Sequence, residues 1–328
     1  MSNDPFSDPG EGYAVERDPV RRSKDGRPYV YDFEKGKEVA FTRATTFIDC
    51  LEDKSLLARW GERMALLGIR DSRDLGRELM ALKPIQPPPL SASVEDFQEY
   101  EGKLTTEKRA LDDLVSRAKD CAGTRKAAKL GTDLHGLTEI LDEELKGLRT
   151  YDEDDLEAAL ATLPDAPPIL LEEVRAYVRA CRRHRLVPVE VERFVAVDSI
   201  RAAGTLDRVY EWHRDGWGAE PLRVIGDVKT GRIDYGQGKL AMQLALYANG
   251  RYYDPESPTE REDPEVSTTA GLILHLPAGK TSPKAYEVDL TLGWEGVRLA
   301  QKVREWRSRT SRKNAGVLAD LDLTMDLE

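Results

Sequence analysis

The residue types that could do chemistry are concentrated in residues 203–248. Asp207 lies in the apolar segment AGTLDRVYEW, and Asp227 lies in a second apolar segment, LRVIGDVKTG, where Lys229 follows two residues later. Carboxylates are the ligands that Mg²⁺ and Mn²⁺ prefer, and an ammonium group beside them can stabilise charge on a phosphate. The stretch therefore indicates metal-dependent hydrolysis of a phosphodiester.

Both segments have the composition of β-strands joined as a hairpin. Residues 203–212 and 222–228 are rich in β-forming residues, and the linker HRDGWGAEP contains two glycines and a proline. An antiparallel hairpin brings Asp207 beside Asp227 although 20 residues separate them. Side chains alternate along a strand, so Asp227 and Lys229 share a face. The alternative is a surface hairpin on which Asp227 and Lys229 form a solvated ion pair.

Two helical motifs accompany the hairpin. Gln243 and Tyr247 lie four residues apart in QLALYA, so they share one face of a predicted helix. Upstream, the motif GTDLH ends at His135, within a helix predicted over 124–148 whose leucines form an apolar stripe. A lone histidine beside such a stripe is ordinarily a boundary residue, and Glu139 one turn further on either supports the site or faces solvent.

Together these motifs resemble those of the RecB-type branch of the PD-(D/E)XK nuclease superfamily. The shared pattern is GTxxH on a helix, GxxD on a strand, DxK followed by Thr-Gly on a strand, and QLxxY on a helix, and it covers residues 125–310. The resemblance implies an α/β fold with a restriction-endonuclease-like core, in which a mixed central sheet is flanked by helices. It also implies that small single-chain relatives of this kind occur in bacteriophages.

The resemblance assigns roles to the residues of the site. The implied ligands of one or two Mg²⁺ or Mn²⁺ ions are His135, Asp207, Asp227 and the main-chain carbonyl of Val228. The implied catalytic residues are Asp207, Asp227, Lys229, Gln243 and Tyr247. Among them Lys229 acts in the reaction, while Gln243 and Tyr247 position Lys229 or the DNA backbone.

The cysteines bear on both location and cofactors. Three cysteines, Cys50, Cys121 and Cys181, lie far apart, as expected of reduced thiols in the cytoplasm. For a bacteriophage protein this would be the cytoplasm of the host cell. Some relatives bind an iron–sulfur cluster, and a [4Fe–4S] cluster normally requires four thiolates. We therefore predict no iron–sulfur cluster.

The remaining composition is that of a globular chain without a membrane partner. Of 328 residues, 40% are hydrophobic and 33% are charged. No apolar run approaches the ~18 residues of a membrane-spanning helix. The N-terminus lacks the basic and apolar regions of a secretory signal.

Charge gives a mixed indication about DNA. The net charge of −11 argues at first against an anionic partner. Basic residues are nevertheless concentrated in residues 301–314 and in the arginines between 175 and 185, and either cluster could contact DNA phosphates or be a solvated helix face. The final residues, 315–328, are acidic. They could dock on a recombination or replication protein, cover a basic cleft, or form a solvated tail.

Composition divides the chain into four predicted regions. Residues 1–41 form a partly disordered N-terminal extension, residues 42–123 a helical region that extends the core, residues 124–314 the nuclease core, and residues 315–328 the acidic tail. Within the helical region, one helix is predicted to begin with hydroxyl caps at its threonines and to continue to Leu67.

One further strand is predicted beside the hairpin. Residues 187–197, VPVEVERFVAV, place Glu190 and Glu192 on one face. One of these glutamates could reach the metal, although solvent or an ion pair is the more common environment for such a residue.

These observations predict a metal-dependent DNA exonuclease in recombination, repair or phage genome processing. The alternative is a non-catalytic DNA-binding recombination or packaging factor on a nuclease fold, although binding alone does not require two aspartates, a lysine and a histidine. A nucleotide-binding enzyme is disfavoured because the chain contains neither GxxxxGKS/T nor GxGxxG.

Overall fold

The computed structural model describes residues 20–83, 85–148, 153–164 and 166–311. The chain divides into two compact units. The helical unit comprises the described parts of Asp53–Thr132, and the sheet unit comprises the described parts of Tyr13–Glu52 and Asp133–Glu328. Residues 42–52, which the sequence placed with the helical region, thus belong to the sheet unit. The predicted acidic tail and residues 1–19 of the predicted N-terminal extension lie outside the described residues.

The described strands form a hairpin and a mixed central sheet. They are β1 (Tyr29–Asp32), β2 (Lys37–Ala40), β3 (Thr42–Arg43), β4 (Leu186–Val197), β5 (Ala202–Trp212), β6 (Leu222–Lys229), β7 (Arg251–Tyr252), β8 (Ala270–His275) and β9 (Lys284–Asp289). β1 pairs with β2, and the central sheet has the order β7-β4-β5-β6-β8-β9 with β3 beside β5. The β6–β8 and β3–β5 pairs are parallel and the other pairs are antiparallel.

The described helices are α1 (Ala44–Ile48), α2 (Ser55–Asp71), α3 (Arg73–Ala81), α4 (Val94–Cys121), α5 (Thr124–Glu144), α6 (Glu153–Leu160), α7 (Pro168–His184), α8 (Gln237–Ala248) and α9 (Leu290–Arg309). The mixed α/β fold with a central sheet flanked by helices is therefore confirmed. None of the helices in the described chain is long and apolar enough to cross a bilayer.

Helices cover both faces of the central sheet. α1, α8 and α9 share one buried apolar cluster with the strands, and Val209 of β5 points into it. Its neighbours Arg208 and Tyr210 contact Asp142 of α5 and Tyr177 of α7 instead. Because side chains alternate along a strand, α5 and α7 lie on the face opposite to α8.

A glycine allows α8 and α9 to cross closely. A Cβ atom at Gly293 of α9 would lie 2.3 Å from the carbonyl oxygen of Ala241 in α8. No side chain fits at that distance, so the crossing requires glycine at this position. The crossing holds α8, with its Gln243–Tyr247 face, firmly against the sheet.

The helical unit has a small core of its own. Ala65 of α2, Leu75 of α3 and Ala118 of α4 are buried together, with Ile69 and Val115 packed against them. The start of α4 is fixed by a capping box between Ser93 and Asp96.

The predicted helix with hydroxyl caps is wrong at its beginning. Thr42 and Arg43 form strand β3, which pairs in parallel with Ala202 and Ala203 of β5. Arg43 is therefore the N-cap residue of α1, and it makes no side-chain cap hydrogen bond. The helix also ends at Ile48 and is followed by a short 3-10 turn before α2. Pairing with a distant strand has overridden a local capping preference.

Candidate active site

Asp207 and Asp227 lie where β5 and β6 separate. The two strands pair from Trp212↔Leu222 to Arg208↔Gly226, as the hairpin prediction requires. Beyond this point β5 continues beside β4 and β6 continues beside β8. The resulting fork contains both aspartates, and the Val228 N–H donates a hydrogen bond of 3.2 Å to Asp207 Oδ2.

Asp227 and Lys229 form a largely buried ion pair. Lys229 Nζ lies 2.8 Å from Oδ1 and 2.6 Å from Oδ2 of Asp227, and Asp227 is only 2% exposed. The alternative of a solvated surface pair is therefore wrong. Burial lowers the pKa of Lys229, but the charges of Asp227 and Asp207 outweigh burial and raise it. Burial and the charge of Asp207 raise the pKa of Asp227 to about 7 against the opposing effect of Lys229.

α5 brings His135 to the same fork. His135 Nε2 lies 2.8 Å from Glu139 Oε1, 3.7 Å from Glu192 Oε1 and 3.9 Å from Asp207 Oδ2. Burial lowers the pKa of His135, but Asp207, Glu139 and Glu192 together raise it to about 10. Carboxylates on three sides show that His135 is more than a boundary residue. Glu139 is 6% exposed, so the alternative in which it faces solvent is wrong.

Glu192 reaches the site from β4. Arg208 pairs with Val191, and Leu206 pairs with Arg193, so the register sets Glu192 opposite Asp207. Glu192 has a backbone φ of +49°, a left-handed conformation that is strained for a residue with a Cβ atom. Burial and the charge of Asp207 raise its pKa to about 7, although the nearby imidazole of His135 lowers it.

The donor set suits a divalent cation. The ligand atoms of His135, Glu139 and Glu192 all lie within 4.8 Å of one another. Within the described residues, Glu192 Oε1 is buried and has no hydrogen-bond partner. An orphaned carboxylate oxygen beside an imidazole and further carboxylates is what a cation-binding site requires, and the imidazole favours Mn²⁺ over Mg²⁺. Asp207 and Asp227 extend the same set of ligands.

Tyr247 packs against the strand that carries Asp207, and Gln243 contacts Tyr247. A Cβ atom at Gly204 would lie 2.9 Å from the Tyr247 hydroxyl, so glycine is needed for Tyr247 to pack here. Burial and the charges of Asp207 and Asp227 raise the pKa of Tyr247, while a hydrogen bond with Gln243 lowers it. In the described part of the chain, the side-chain hydrogen bond of Lys229 is to Asp227, not to Gln243 or Tyr247.

A second polar network lies beside the fork. Arg208 Nε and the Tyr177 hydroxyl each donate to Asp142 Oδ2 at 2.6 Å, and the hydroxyls of Tyr177 and Tyr210 are 2.7 Å apart. Arg208 Nη1 donates to the main-chain carbonyl of Asp207 at 2.8 Å. Burial lowers the pKa of Arg208, but Asp142 raises it well above its usual range, so the guanidinium is charged.

The sequence left these supporting residues unassigned. Asp142 follows His135 by seven residues, which is two helical turns, and Arg208 is adjacent to Asp207 in an apolar strand. A charged residue at an inward position of a buried strand is the feature that could have revealed the network.

The basic cluster of α7 is largely engaged within the protein. Arg175 contacts Glu157 at 3.0 Å, and Arg182 contacts Glu153 at 3.7 Å. Arg185 donates to the main-chain carbonyl of His213. These contacts weaken the prediction that this cluster binds DNA phosphates, although its arginines contact protein groups and do not form the solvated helix face that was the alternative.

Neither a protein-family model nor a curated protein matches this chain. The assignment of a function therefore rests on the chemistry of the fork.

Proposed function

We propose that this chain is a metal-dependent deoxyribonuclease of the PD-(D/E)XK type, acting as an exonuclease in recombination, repair or genome processing. One observation carries the proposal. His135, Asp207 and the Asp227–Lys229 pair, which come from three separate elements, converge at the fork between β5 and β6. Their residue types are those that the resemblance to RecB-type nucleases requires.

The fork would hold one or two Mg²⁺ or Mn²⁺ ions. His135, Asp207 and Asp227 are the proposed ligands, together with the carbonyl of Val228. The N–H of Val228 faces the fork, and in a strand the N–H and carbonyl of one residue face the same neighbour. When bound, the metal would polarise the phosphate and supply the activated water.

Lys229 acts as a cationic donor. Its raised pKa keeps the ammonium protonated, so it stabilises negative charge on a phosphate oxygen and does not serve as a base. Its side chain is 31% exposed, whereas that of Asp227 is 3% exposed. The lysine thus lies between the buried carboxylate and solvent, on the side from which a DNA strand would approach.

Gln243 and Tyr247 act through the fold. Tyr247 packs against Gly204 at the start of the strand that carries Asp207. Tyr247 therefore holds this strand from the α8 side, and Gln243 holds Tyr247 through a hydrogen bond. The proposed role of both residues is to keep Asp207 in place beside Asp227.

The test is a cleavage assay on linear and circular DNA labelled at the 5′ or 3′ end, with Mg²⁺, with Mn²⁺ and with EDTA. The wild-type chain should degrade linear DNA with either metal, and EDTA should prevent it. Asp227→Asn should lower the rate at least about a hundredfold, because a carboxylate ligand of the proposed metal site is lost.

Asp234→Asn is the matched control. Asp234 lies in the loop after β6, is 67% exposed and pairs with Arg232, so its loss should not change cleavage. Wild-type protein that binds DNA without cutting it in either metal would contradict the nuclease and support the non-catalytic DNA-binding alternative. Degradation of circular DNA would show that the chain cleaves as an endonuclease and not as an exonuclease.

A further inference from the structure

Three of the four elements that carry candidate metal ligands, namely α5, β4 and β5, meet one buried guanidinium. Arg208 Nε donates to Asp142 of α5 at 2.6 Å, and Nη1 donates to the carbonyl of Asp207 in β5 at 2.8 Å. Arg208 Nη1 also lies 3.6 Å from Glu192 Oε1 in β4. α5 also carries His135. The side chain of Arg208 therefore links α5 to β5 and β4, the strands that carry Asp207 and Glu192.

Helical geometry makes the link to α5 informative. Asp142 follows His135 by seven residues, and residues two turns apart lie on the same side of a helix. A bond from Asp142 to β5 therefore fixes both the rotation of α5 and its position along its axis. Both quantities set the separation of His135 Nε2 from Asp207 Oδ2, which is 3.9 Å.

We propose that Arg208 is a positioning residue, which together with Asp142 holds His135 on α5 close enough to Asp207 and Glu192 for all three side chains to bind one metal ion. This inference rests on the proposed metal site. Arg208 would not touch the metal or the DNA.

Stability alone does not account for the network. Arg208 is completely buried and Asp142 is 2% exposed. Replacing a buried ion pair by apolar side chains of similar size is often neutral or stabilising. The tyrosines reinforce a positional role, because Tyr177 of α7 donates to the same oxygen of Asp142 that Arg208 Nε contacts. That oxygen is thereby held by two donors from two elements.

The first test variant is Arg208→Lys. Lysine keeps the charge but lacks the planar fork that donates in two directions, so it cannot reach Asp142 and the Asp207 carbonyl with one geometry. We expect Mn²⁺ to bind about tenfold more weakly, the loss typical when a partner behind metal ligands is removed. The measurement is a titration of the metal-free protein with Mn²⁺ alone.

Arg193→Lys is the matched control on the neighbouring strand. Arg193 contacts Glu190 at 3.0 Å, and its side chain is 40% exposed, so the affinity for Mn²⁺ should not change. Wild-type affinity in a folded Arg208→Lys variant would overturn the proposal. A tenfold loss in both variants would also overturn it, because the loss would then follow from any arginine nearby.

A second variant separates positioning from folding. It replaces the whole network with apolar side chains: Asp142→Leu, Tyr177→Phe, Arg208→Met and Tyr210→Phe together. We expect this variant to fold and still to bind Mn²⁺ about tenfold more weakly, with a longer His135–Asp207 separation in its crystal structure. Wild-type affinity in this variant would show that the network only fills space. If Arg208→Lys does not fold, the Mn²⁺ affinity of this second variant tests the proposal.

Failure of the proposed function has a different outcome. If the wild-type protein neither binds Mn²⁺ nor cleaves DNA, the proposed metal site is wrong, and the positioning role of Arg208 is wrong as well. If the wild type binds Mn²⁺ and cleaves DNA, and a folded Arg208→Lys variant has the same affinity for Mn²⁺, only the positioning role is refuted.

Discussion

Two polar clusters lie next to each other on β5, and they are built in opposite ways. Around Arg208 the charges are matched: Asp142 accepts hydrogen bonds from Arg208 and Tyr177, and Tyr177 contacts Tyr210. Arg208 Nη2 is an exception within the described chain, because it is buried without a hydrogen-bond partner.

Around His135 the charges are unmatched. Four carboxylates surround one imidazole and one ammonium group, and two of the carboxylates have pKa values raised to about 7. Glu192 combines an orphaned oxygen with a strained backbone. The first cluster therefore has the features of a support, whereas the second stores repulsion and strain that a bound cation would relieve.

The two clusters should differ most in how much a substitution changes the free energy of unfolding of the metal-free protein. Asp142→Ala leaves Arg208 buried without its partner and should lower the free energy of unfolding by about 3–5 kcal/mol. Asp227→Asn should change it by less than about 1 kcal/mol, because burial and Asp207 already penalise the ionised form of Asp227. Urea denaturation in EDTA at pH 8 measures both values. Equal losses in the two variants would remove the distinction between the clusters.

The unmatched cluster should also make metal binding depend on pH. In the metal-free protein, His135 has a pKa of about 10 and is protonated at neutral pH, while Asp227 and Glu192, with pKa values of about 7, take up protons below that pH. Metal ligands must be deprotonated, so binding releases protons and becomes tighter as pH rises.

One proton released corresponds to a tenfold change in affinity, about 1.4 kcal/mol, for each pH unit. Mn²⁺ affinity should therefore fall at least about a hundredfold from pH 8 to pH 6, with the steeper part below pH 7. Calorimetric titrations in buffers of different ionisation enthalpy measure both affinity and proton release. His135→Asn should flatten the dependence above pH 7, and an equally steep slope in that variant would remove His135 from the set of ligands.

The smallest effect concerns the backbone of Glu192. Glu192→Gly removes both the strain at a φ of +49° and a buried carboxylate, so it should stabilise the metal-free protein by about 1 kcal/mol. The same variant should bind Mn²⁺ more weakly. Glu190→Gly, two residues away in the same strand, is the control and should be destabilising by about 0.5–1 kcal/mol. A loss of stability at both positions would indicate that Glu192 is not strained.

Much of the site could be predicted because its patterns are local. Alternation along two strands and a Gly- and Pro-containing linker are sufficient to place Asp207 beside Asp227, and helical spacing pairs Gln243 with Tyr247. The spacing of residues along one element does not, however, say which element lies next to it.

Glu192 shows where local patterns fail. Alternation placed it with Glu190, but Glu190 contacts Arg193 at 3.0 Å while Glu192 faces His135. The left-handed backbone at Glu192 is specified by the surrounding fold and has no signature in its own sequence. The pairing of Arg208 with Asp142, 66 residues apart, is likewise determined by how α5 packs on the sheet.

The fork between β5 and β6 limits which residues can replace Asp207 during evolution. Where β5 leaves β6, the Val228 N–H has lost a main-chain acceptor, and the side chain of Asp207 takes its place. The fold requires an acceptor at this position, while only the proposed cation would require a negative charge there. Asparagine at position 207 would keep an acceptor for the Val228 N–H, whereas an apolar residue there would leave this strand amide without its hydrogen bond.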